Sequence, residues 1–199
     1  AAWSAEAGAR IDVSFRSGGL RGITGALFVF GRAVDDLVAY RRVGMGYVVP
    51  FNVKGARLLG AELLAAARLG EHITAEVSAT LLDPRDTSEG RTTTNDVLPY
   101  RSRLLLAPSA RARLPLRSSW LGDAELFASY VYQSSRYVDP AGLAVLPEQG
   151  SLDLEARATF HRHLLLRARL ANTLDQPRTD LVGFPLPGRS FFVSMESRL

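Results

Sequence analysis

The chain contains no cysteine, which excludes disulfide bonds, cysteine-based metal sites and cysteine nucleophiles. It also lacks an apolar run of about 18 residues, the length that a transmembrane helix requires. That absence leaves open a membrane β-barrel, whose strands are individually weak signals. The first residues, Ala-Ala-Trp-Ser-Ala-Glu, lack the basic and apolar segments of a signal peptide. If the protein is exported, we expect this chain to be a mature chain or a fragment.

Lysine is almost absent, since Lys54 is the only one, and arginine supplies nearly all of the positive charge. The 24 basic and 20 acidic residues give a net charge of +4. A basic chain is compatible with nucleic-acid binding, but the arginines are spread among acidic residues instead of forming a patch. We therefore expect no nucleic-acid partner.

Period-two alternation of apolar and polar residues is present along the whole chain. Near the C-terminus, Phe191, Val193 and Met195 alternate with Ser194 and Glu196, as in a strand whose two faces meet different surroundings. A soluble edge strand and a transmembrane β-strand both fit this pattern. Nine segments carry it to varying degrees: 3–15, 22–32, 55–68, 73–82, 101–113, 123–134, 151–160, 164–170 and 190–199.

The connections between these segments alternate in length. Short ones follow the first, third, fifth and seventh segments, whereas the long ones cover 33–54, 83–100, 135–150 and 171–189. This alternation is typical of outer-membrane barrels, which have short periplasmic turns and long external loops. Aromatic residues at both ends of the apolar faces resemble two interfacial girdles: Trp3, Tyr130, Tyr132 and Phe191 at the long-loop end, and Phe15 and Phe160 at the short-turn end.

These patterns predict an all-β fold, an antiparallel transmembrane β-barrel of which about nine strands are present. Two features weigh against it. Residues 56–69 are rich in helix formers, so a soluble α+β domain is an alternative. Pro108 would remove one ladder hydrogen bond from the fifth strand.

Several segments, taken in this order, resemble the C-terminal part of the TonB-dependent outer-membrane receptors. These are barrels of about 22 strands that import siderophores, cobalamin and related solutes. The resemblance covers essentially all 199 residues. It is carried by Asp35-Asp-Leu37, by Asn52-Val-Lys-Gly-Ala-Arg-Leu-Leu-Gly-Ala-Glu62, by Leu98-Pro-Tyr-Arg101, by Asn172-Thr-Leu-Asp175, and by Gly183-Phe-Pro-Leu-Pro-Gly-Arg189 with the terminal strand.

The resemblance implies that external loops capture a solute and that the energy-coupling protein TonB pulls on a plug inside the barrel. It also implies contact with outer-membrane lipid and recognition of the C-terminal strand by the barrel-assembly machinery. The chain departs from the family by ending in Leu199 instead of an aromatic residue and by having Gln176 after the Asn172–Asp175 turn. It also lacks the plug, the energy-coupling box and about thirteen strands of the family's barrel.

Nine is an odd number of strands, whereas bacterial single-chain barrels have even counts. We therefore expect residues 1–199 to be the C-terminal portion of a larger barrel in the outer membrane of a Gram-negative bacterium. A smaller passive or structural barrel and a soluble β-rich binding domain are the alternatives.

Candidate chemical sites are few. His161 and His163 could ligate a metal, but no third ligand is evident nearby. Asp83, Asp86 and Glu89 lack the spacing of a recognised calcium loop. No Gly-x-Ser-x-Gly motif is present. We predict no catalytic residue, no metal site, no cofactor and hence no enzyme.

The charged residues on the polar faces would line a wet lumen. We expect them mainly to pair across strands or to contact the plug, and the sequence offers no basis for choosing solute-binding residues in the loops. These residues are Glu62, Glu76, Arg103, Arg111, Glu125, Glu155, Arg157, Arg167, Arg169, Glu196 and Arg198.

Overall fold

The alternating segments fold into one antiparallel sheet. The computed structural model describes residues 1–16, 18–43, 47–90, 93–116, 118, 120–161 and 163–197. The strands of the sheet are β1 (Ala2–Ser14), β2 (Leu20–Val43), β3 (Tyr47–Leu69), β4 (Ile73–Asp86), β5 (Leu104–Leu114), β6 (Leu121–Gln133), β9 (Gln149–Phe160), β10 (Leu164–Ala171) and β13 (Ser190–Ser197). Two small hairpins lie in the loops, β7 (Arg136–Tyr137) with β8 (Val145–Leu146), and β11 (Thr179–Leu181) with β12 (Phe184–Pro185).

The predicted nine-stranded antiparallel sheet is confirmed. Its order, β1-β2-β3-β4-β5-β6-β9-β10-β13, follows the chain, and every pairing is antiparallel. The sheet is open, because β1 is paired only with β2 and β13 only with β10 among the described strands. Within the described ranges no helix is long and apolar enough to cross a membrane.

The strand register keeps the two chemical faces aligned across the sheet. Ala112, Leu126, Ala156, Ala168 and Val193 are successive neighbours on five strands and form one row of the apolar face. Because a slip of one residue would turn every side chain to the opposite face, this pattern excludes such a slip. We call the apolar side the outer face and the opposite, charged side the inner face.

The expectation of a long loop at residues 33–54 is wrong. There β2 and β3 continue as one long hairpin up to Val43 and from Tyr47. The alternation needed to span a membrane ends near Arg32, but the following residues are rich in β-branched and aromatic types that favour strands. The backbone of Asp36 adopts a φ of 59°, and its carboxylate accepts a hydrogen bond from Asn52 Nδ2 at 3.1 Å.

The helical alternative for residues 56–69 is also wrong, since they form part of β3. Pro108 does interrupt a ladder, as predicted. The pairing of β5 with β6 includes Leu106 with Tyr132 and Ser109 with Ser129 but skips the two positions between them. Proline has no N–H to donate, so the ladder resumes only after it.

Short turns and long loops lie at opposite ends of the sheet. The short turns follow β1, β3, β5 and β9, and the three remaining long loops cover 87–103, 134–148 and 172–189. Trp3 and Phe191 are exposed at the loop end of the outer face. At the turn end, Trp120 stacks on Phe160 with ring centroids 6.1 Å apart, so Trp120 joins the predicted girdle there.

Candidate functional site

The inner face carries a charged wall on β5, β6, β9 and β10. Its register places Arg111, Phe127, Glu155 and Arg169 side by side on these four strands. The guanidinium carbon of Arg111 lies 5.5 Å from the ring centroid of Phe127, within the range of a cation–π contact. The wall therefore presents cations that are held by aromatic as well as acidic neighbours.

Glu125 on β6 lies among three arginines of this wall. Its carboxylate oxygens lie 2.8 Å from Arg157 Nη2, 3.6 Å from Arg111 Nε and 3.6 Å from Arg113 Nε. The Glu125 side chain is only 10 % exposed, whereas the three arginine side chains are 39 % to 69 % exposed. Because one carboxylate faces three guanidinium groups, this part of the wall keeps an excess of positive charge.

The pairing of β9 with β10 places Arg157 directly opposite Arg167, an arrangement that destabilises a sheet when the like charges remain unpaired. Arg157 pairs instead with the acid on β6. Arg167 Nε lies 3.3 Å from Glu155 Oε1, and Arg169 Nη2 lies 2.6 Å from Asp153 Oδ2. One direct ion pair, Arg157 with Glu125, and two diagonal ones thus compensate the like charges that the register brings together.

Most of the predicted lumenal charges are paired across strands as expected. Arg111, Glu125, Glu155, Arg157, Arg167 and Arg169 belong to the pairs above, and Glu196 also interacts. The side chains of Glu62, Glu76 and Arg103 make no ion pair within the described ranges, and Arg198 lies outside them. Asp153 and Arg113 also belong to this ion-pair network, although the alternation pattern did not lead us to predict them as lumenal charges.

A concavity of about 550 Å³ lies on this wall toward the short turns. Its charged and ionisable lining combines the acids Glu71, Asp123 and Glu125 with the arginines Arg113 and Arg157 and the imidazoles of His72 and His163. This lining is mixed in charge, unlike the apolar outer face.

The three long loops interlock at the opposite end. Asn95 Nδ2 donates to the carbonyl of Pro140 at 3.1 Å, and the Tyr100 N–H donates to the carbonyl of Tyr137 at 2.7 Å. Thr179 exchanges two hydrogen bonds with the Gln149 side chain. We call this assembly of the described residues within 87–103, 134–148 and 172–189 the external loop cluster.

The segment resembling the receptors' closing signature fastens the base of the last loop. Asn172 is fully buried; its Oδ1 accepts the Gln176 N–H at 3.2 Å and its Nδ2 donates to the Gln176 carbonyl at 3.0 Å. Asp175 Oδ1 accepts the Arg189 N–H at 2.8 Å, and a Cβ on Gly188 would lie 2.9 Å from that same oxygen. These hydrogen bonds fix the shape of the loop at its base.

The segment that starts at Asn52 has a comparable structural basis. A Cβ on Gly55 would lie 3.0 Å from Thr87 Oγ1, so the absent side chain lets the next loop approach, and Thr87 N–H donates to the Gly55 carbonyl at 2.8 Å. Leu98, which is 2 % exposed, packs in a small apolar cluster with Val53 and Ala56. This contact anchors the loop 87–103 on the long β2–β3 hairpin.

Arg136 is a buried cation of the external loop cluster that sequence reasoning missed. Its Nη2 donates to the carbonyls of Thr179 at 2.7 Å and Asp180 at 3.2 Å, and lies 3.9 Å from Asp180 Oδ1. Burial lowers the pKa of Arg136, an effect that the Asp180 carboxylate opposes. Its partners are backbone carbonyls, which leave no signal in the sequence. The one available sign was its position within a long, turn-rich connection.

The histidines and acidic residues considered as metal ligands do not form a common site in the described part of the chain. His161 and His163 lie in the turn after β9, where the backbone N–H of each donates to a carbonyl, of Trp120 and Phe160 respectively. Asp83 pairs with Arg85, and Asp86 Oδ1 accepts the Ser88 N–H. Across the part of the chain that the structure describes, no group of three histidine or acidic side chains could hold a metal ion.

An amphipathic antiparallel sheet with turns at one end and loops at the other is the wall of a transmembrane β-barrel. No protein-family model matches the chain. Among solved structures, BauA, the ferric preacinetobactin receptor from Acinetobacter baumannii, is similar with a TM-score of 0.73 and 16 % identity, over 98 % of this chain and 29 % of the receptor.

Two further structures give the same match. The ferric yersiniabactin uptake receptor FyuA from Yersinia pestis has a TM-score of 0.72 and 12 % identity, over 98 % of this chain and 30 % of its own. The FrpB iron transporter from Neisseria meningitidis has a TM-score of 0.65 and 16 % identity, over 98 % and 31 %. The chain therefore spans less than a third of these proteins and has the fold of a portion of a TonB-dependent receptor barrel. The proteins that it resembles are transport receptors and not enzymes.

Proposed function

We propose that the chain is the C-terminal barrel portion of a TonB-dependent transporter in the outer membrane of a Gram-negative bacterium. The transporter would take up a scarce solute, such as a siderophore or cobalamin, at the expense of energy from the inner membrane. The observation that carries this proposal is the nine-stranded sheet with an apolar outer and a charged inner face, which matches receptor barrels over 98 % of its length.

Each surface has a partner in this proposal. The outer face contacts lipid, and β13 carries the signal that the barrel-assembly machinery recognises. The mixed-charge concavity near the short turns faces the plug, which is encoded elsewhere in the longer protein and is pulled by TonB. The solute is held by the external loop cluster and the tip of the plug.

Uptake measurements in cells test the proposal. The complete gene is deleted from its host, and accumulation of labelled ferric siderophores and of labelled cobalamin is compared among wild-type, deletion and complemented cells. We expect the deletion to abolish uptake of one of these solutes, and removal of TonB to have the same effect. Complemented uptake that persists without TonB would point to a passive barrel instead.

A second measurement tests whether the protein is a closed barrel at all. Folded outer-membrane barrels migrate differently on a denaturing gel before and after boiling. We expect the complete protein, extracted from the outer-membrane fraction, to show this heat-modifiable migration. A protein recovered without detergent and insensitive to boiling would fit a soluble β-rich binding domain.

A further inference from the structure

Three arginines surround a small cavity within the external loop cluster. The cavity measures about 150 Å³ and is lined by Arg101, Arg103 and Arg136, together with Ser135 and Tyr137. Val97 and Val145 complete the lining. Among the described residues no acidic side chain lines it, so its described lining is formally charged +3 by the three guanidinium groups.

Arg136 forms the buried side of this cavity. Its side chain is 3 % exposed. One terminal nitrogen, Nη2, is occupied by two carbonyls, but Nη1 is buried and has no hydrogen-bond partner among the described residues. Within the described ranges its one ion-pair partner is the Asp180 carboxylate, which is itself 67 % exposed and lies 3.9 Å away. A buried cation with an unused donor is costly unless an acceptor completes it.

Arg101 and Arg103 form the accessible side. They lie two residues apart just before β5, and both are exposed. Neither makes an ion pair or a side-chain hydrogen bond with any residue that the structure describes, which contrasts with the paired arginines of the inner wall. Their guanidinium groups therefore have donors available at the cavity mouth.

We propose that this cavity binds an oxyanion, a carboxylate or phosphate-type group carried by the transported solute, between Arg136 inside and Arg101 and Arg103 at its mouth. Guanidinium groups match such anions because they donate parallel hydrogen bonds to two oxygens. A water occupies about 30 Å³ of liquid volume, so the cavity has room for one such group and a few waters. That the oxyanion belongs to a transported solute rests on the proposed function. The oxyanion site itself does not depend on it.

Binding of inorganic phosphate and of citrate to the complete, detergent-solubilised protein tests the site. Calorimetric titration is run in a buffer free of other oxyanions on the wild type and on Arg101→Gln/Arg103→Gln. We expect saturable binding by the wild type and an affinity lower by about tenfold or more in the double variant, because two charge-assisted interactions are lost. Binding of both probes indicates a general oxyanion site, and binding of one alone identifies the preferred class.

The matched control is Arg178→Gln/Arg189→Gln. This variant also removes two positive charges from the external loop cluster, but neither residue belongs to the cavity lining. We expect its affinity to equal that of the wild type. An equal loss in both double variants would mean that the loops attract anions only through their total charge, and the proposal would be wrong. Absence of saturable binding by the wild type would overturn it as well.

A more conservative variant guards against misfolding. Arg136→Lys keeps the charge but not the fork of donors, so we expect weaker phosphate binding with unchanged heat-modifiable migration. Unchanged phosphate affinity in this variant would argue against Arg136 as a ligand.

TonB-dependent uptake by a protein that binds neither probe refutes only this site, whereas probe binding without energised uptake refutes only the proposed function.

Discussion

Two adjacent leucines on β3 allow the assignment of the membrane face to be tested by a single comparison. Leu63 points to the outer face, where its neighbours are Leu27 and Ala79, and Leu64 points to the inner face beside Ala26 and Ser78. They are 42 % and 51 % exposed, so neither substitution fills a packed core. We predict that Leu63→Arg destabilises the barrel strongly and that Leu64→Arg does not.

The magnitude follows from the depth of these residues. β3 ends at Leu69, and Leu63 lies six residues before that end. With a rise of about 3.3 Å per residue and a tilt of about 45°, Leu63 lies about 14 Å above the turn, close to the middle of an apolar band about 25 Å tall. Arginine on the lipid face at the midplane costs about 2–4 kcal/mol, whereas the same charge in a wet lumen costs little.

The assay is the folded fraction of the complete protein in lipid bilayers, measured by boiling-dependent gel migration across a urea series. The shift of the Leu63→Arg midpoint relative to the Leu64→Arg midpoint reports the difference between the two faces. Each variant replaces one leucine by one arginine, so the chemical change is the same and only the face differs. Equal midpoints would refute the assignment of the outer face to lipid. A larger loss for Leu64→Arg would mean that the two faces are reversed.

Three further substitutions probe the packing of the wall and the loops. Glu125→Gln leaves three arginines without their shared carboxylate, and we expect a loss of about 1–3 kcal/mol in the same urea series. Gly60→Ala places a Cβ 2.5 Å from Phe30 Cζ and 2.7 Å from a backbone oxygen, so we expect a comparable destabilisation. Asn172→Ala removes both hydrogen bonds to Gln176, and we expect faster proteolysis within residues 172–189 while the barrel midpoint stays unchanged.

The strands were predictable because a sheet with one apolar and one polar face imposes a period of two along each strand. Prediction failed at residues 33–54, where the strands extend beyond the membrane span. There the outer face no longer needs an apolar side chain at every second position. The extension shows itself only as strand propensity, a weaker signal than alternation.

The sequence predicted charged residues that line the inner face, but not which acid pairs with which arginine. Alternation alone placed Arg157, Glu155 and Arg167 on one face. Which acid each arginine selects depends on the stagger between strands, and a sequence does not contain that stagger. Arg136 was hidden for a different reason, since loops that lack periodicity give no indication of which side chain becomes buried.

The open edges of the sheet set a condition on any closed barrel that contains this chain. Nine antiparallel strands in sequence order leave β1 and β13 running in the same direction. Direct closure of β1 on β13 would therefore create one parallel pair in an otherwise antiparallel barrel. An odd number of additional strands removes this conflict and satisfies edge groups that each cost several kcal/mol if left unpaired in lipid. A barrel of about 22 strands, which the family resemblance implies, would meet this condition with thirteen more. For the same reason, the comparison of Leu63→Arg with Leu64→Arg is meaningful only in the complete barrel, where the inner face encloses a lumen.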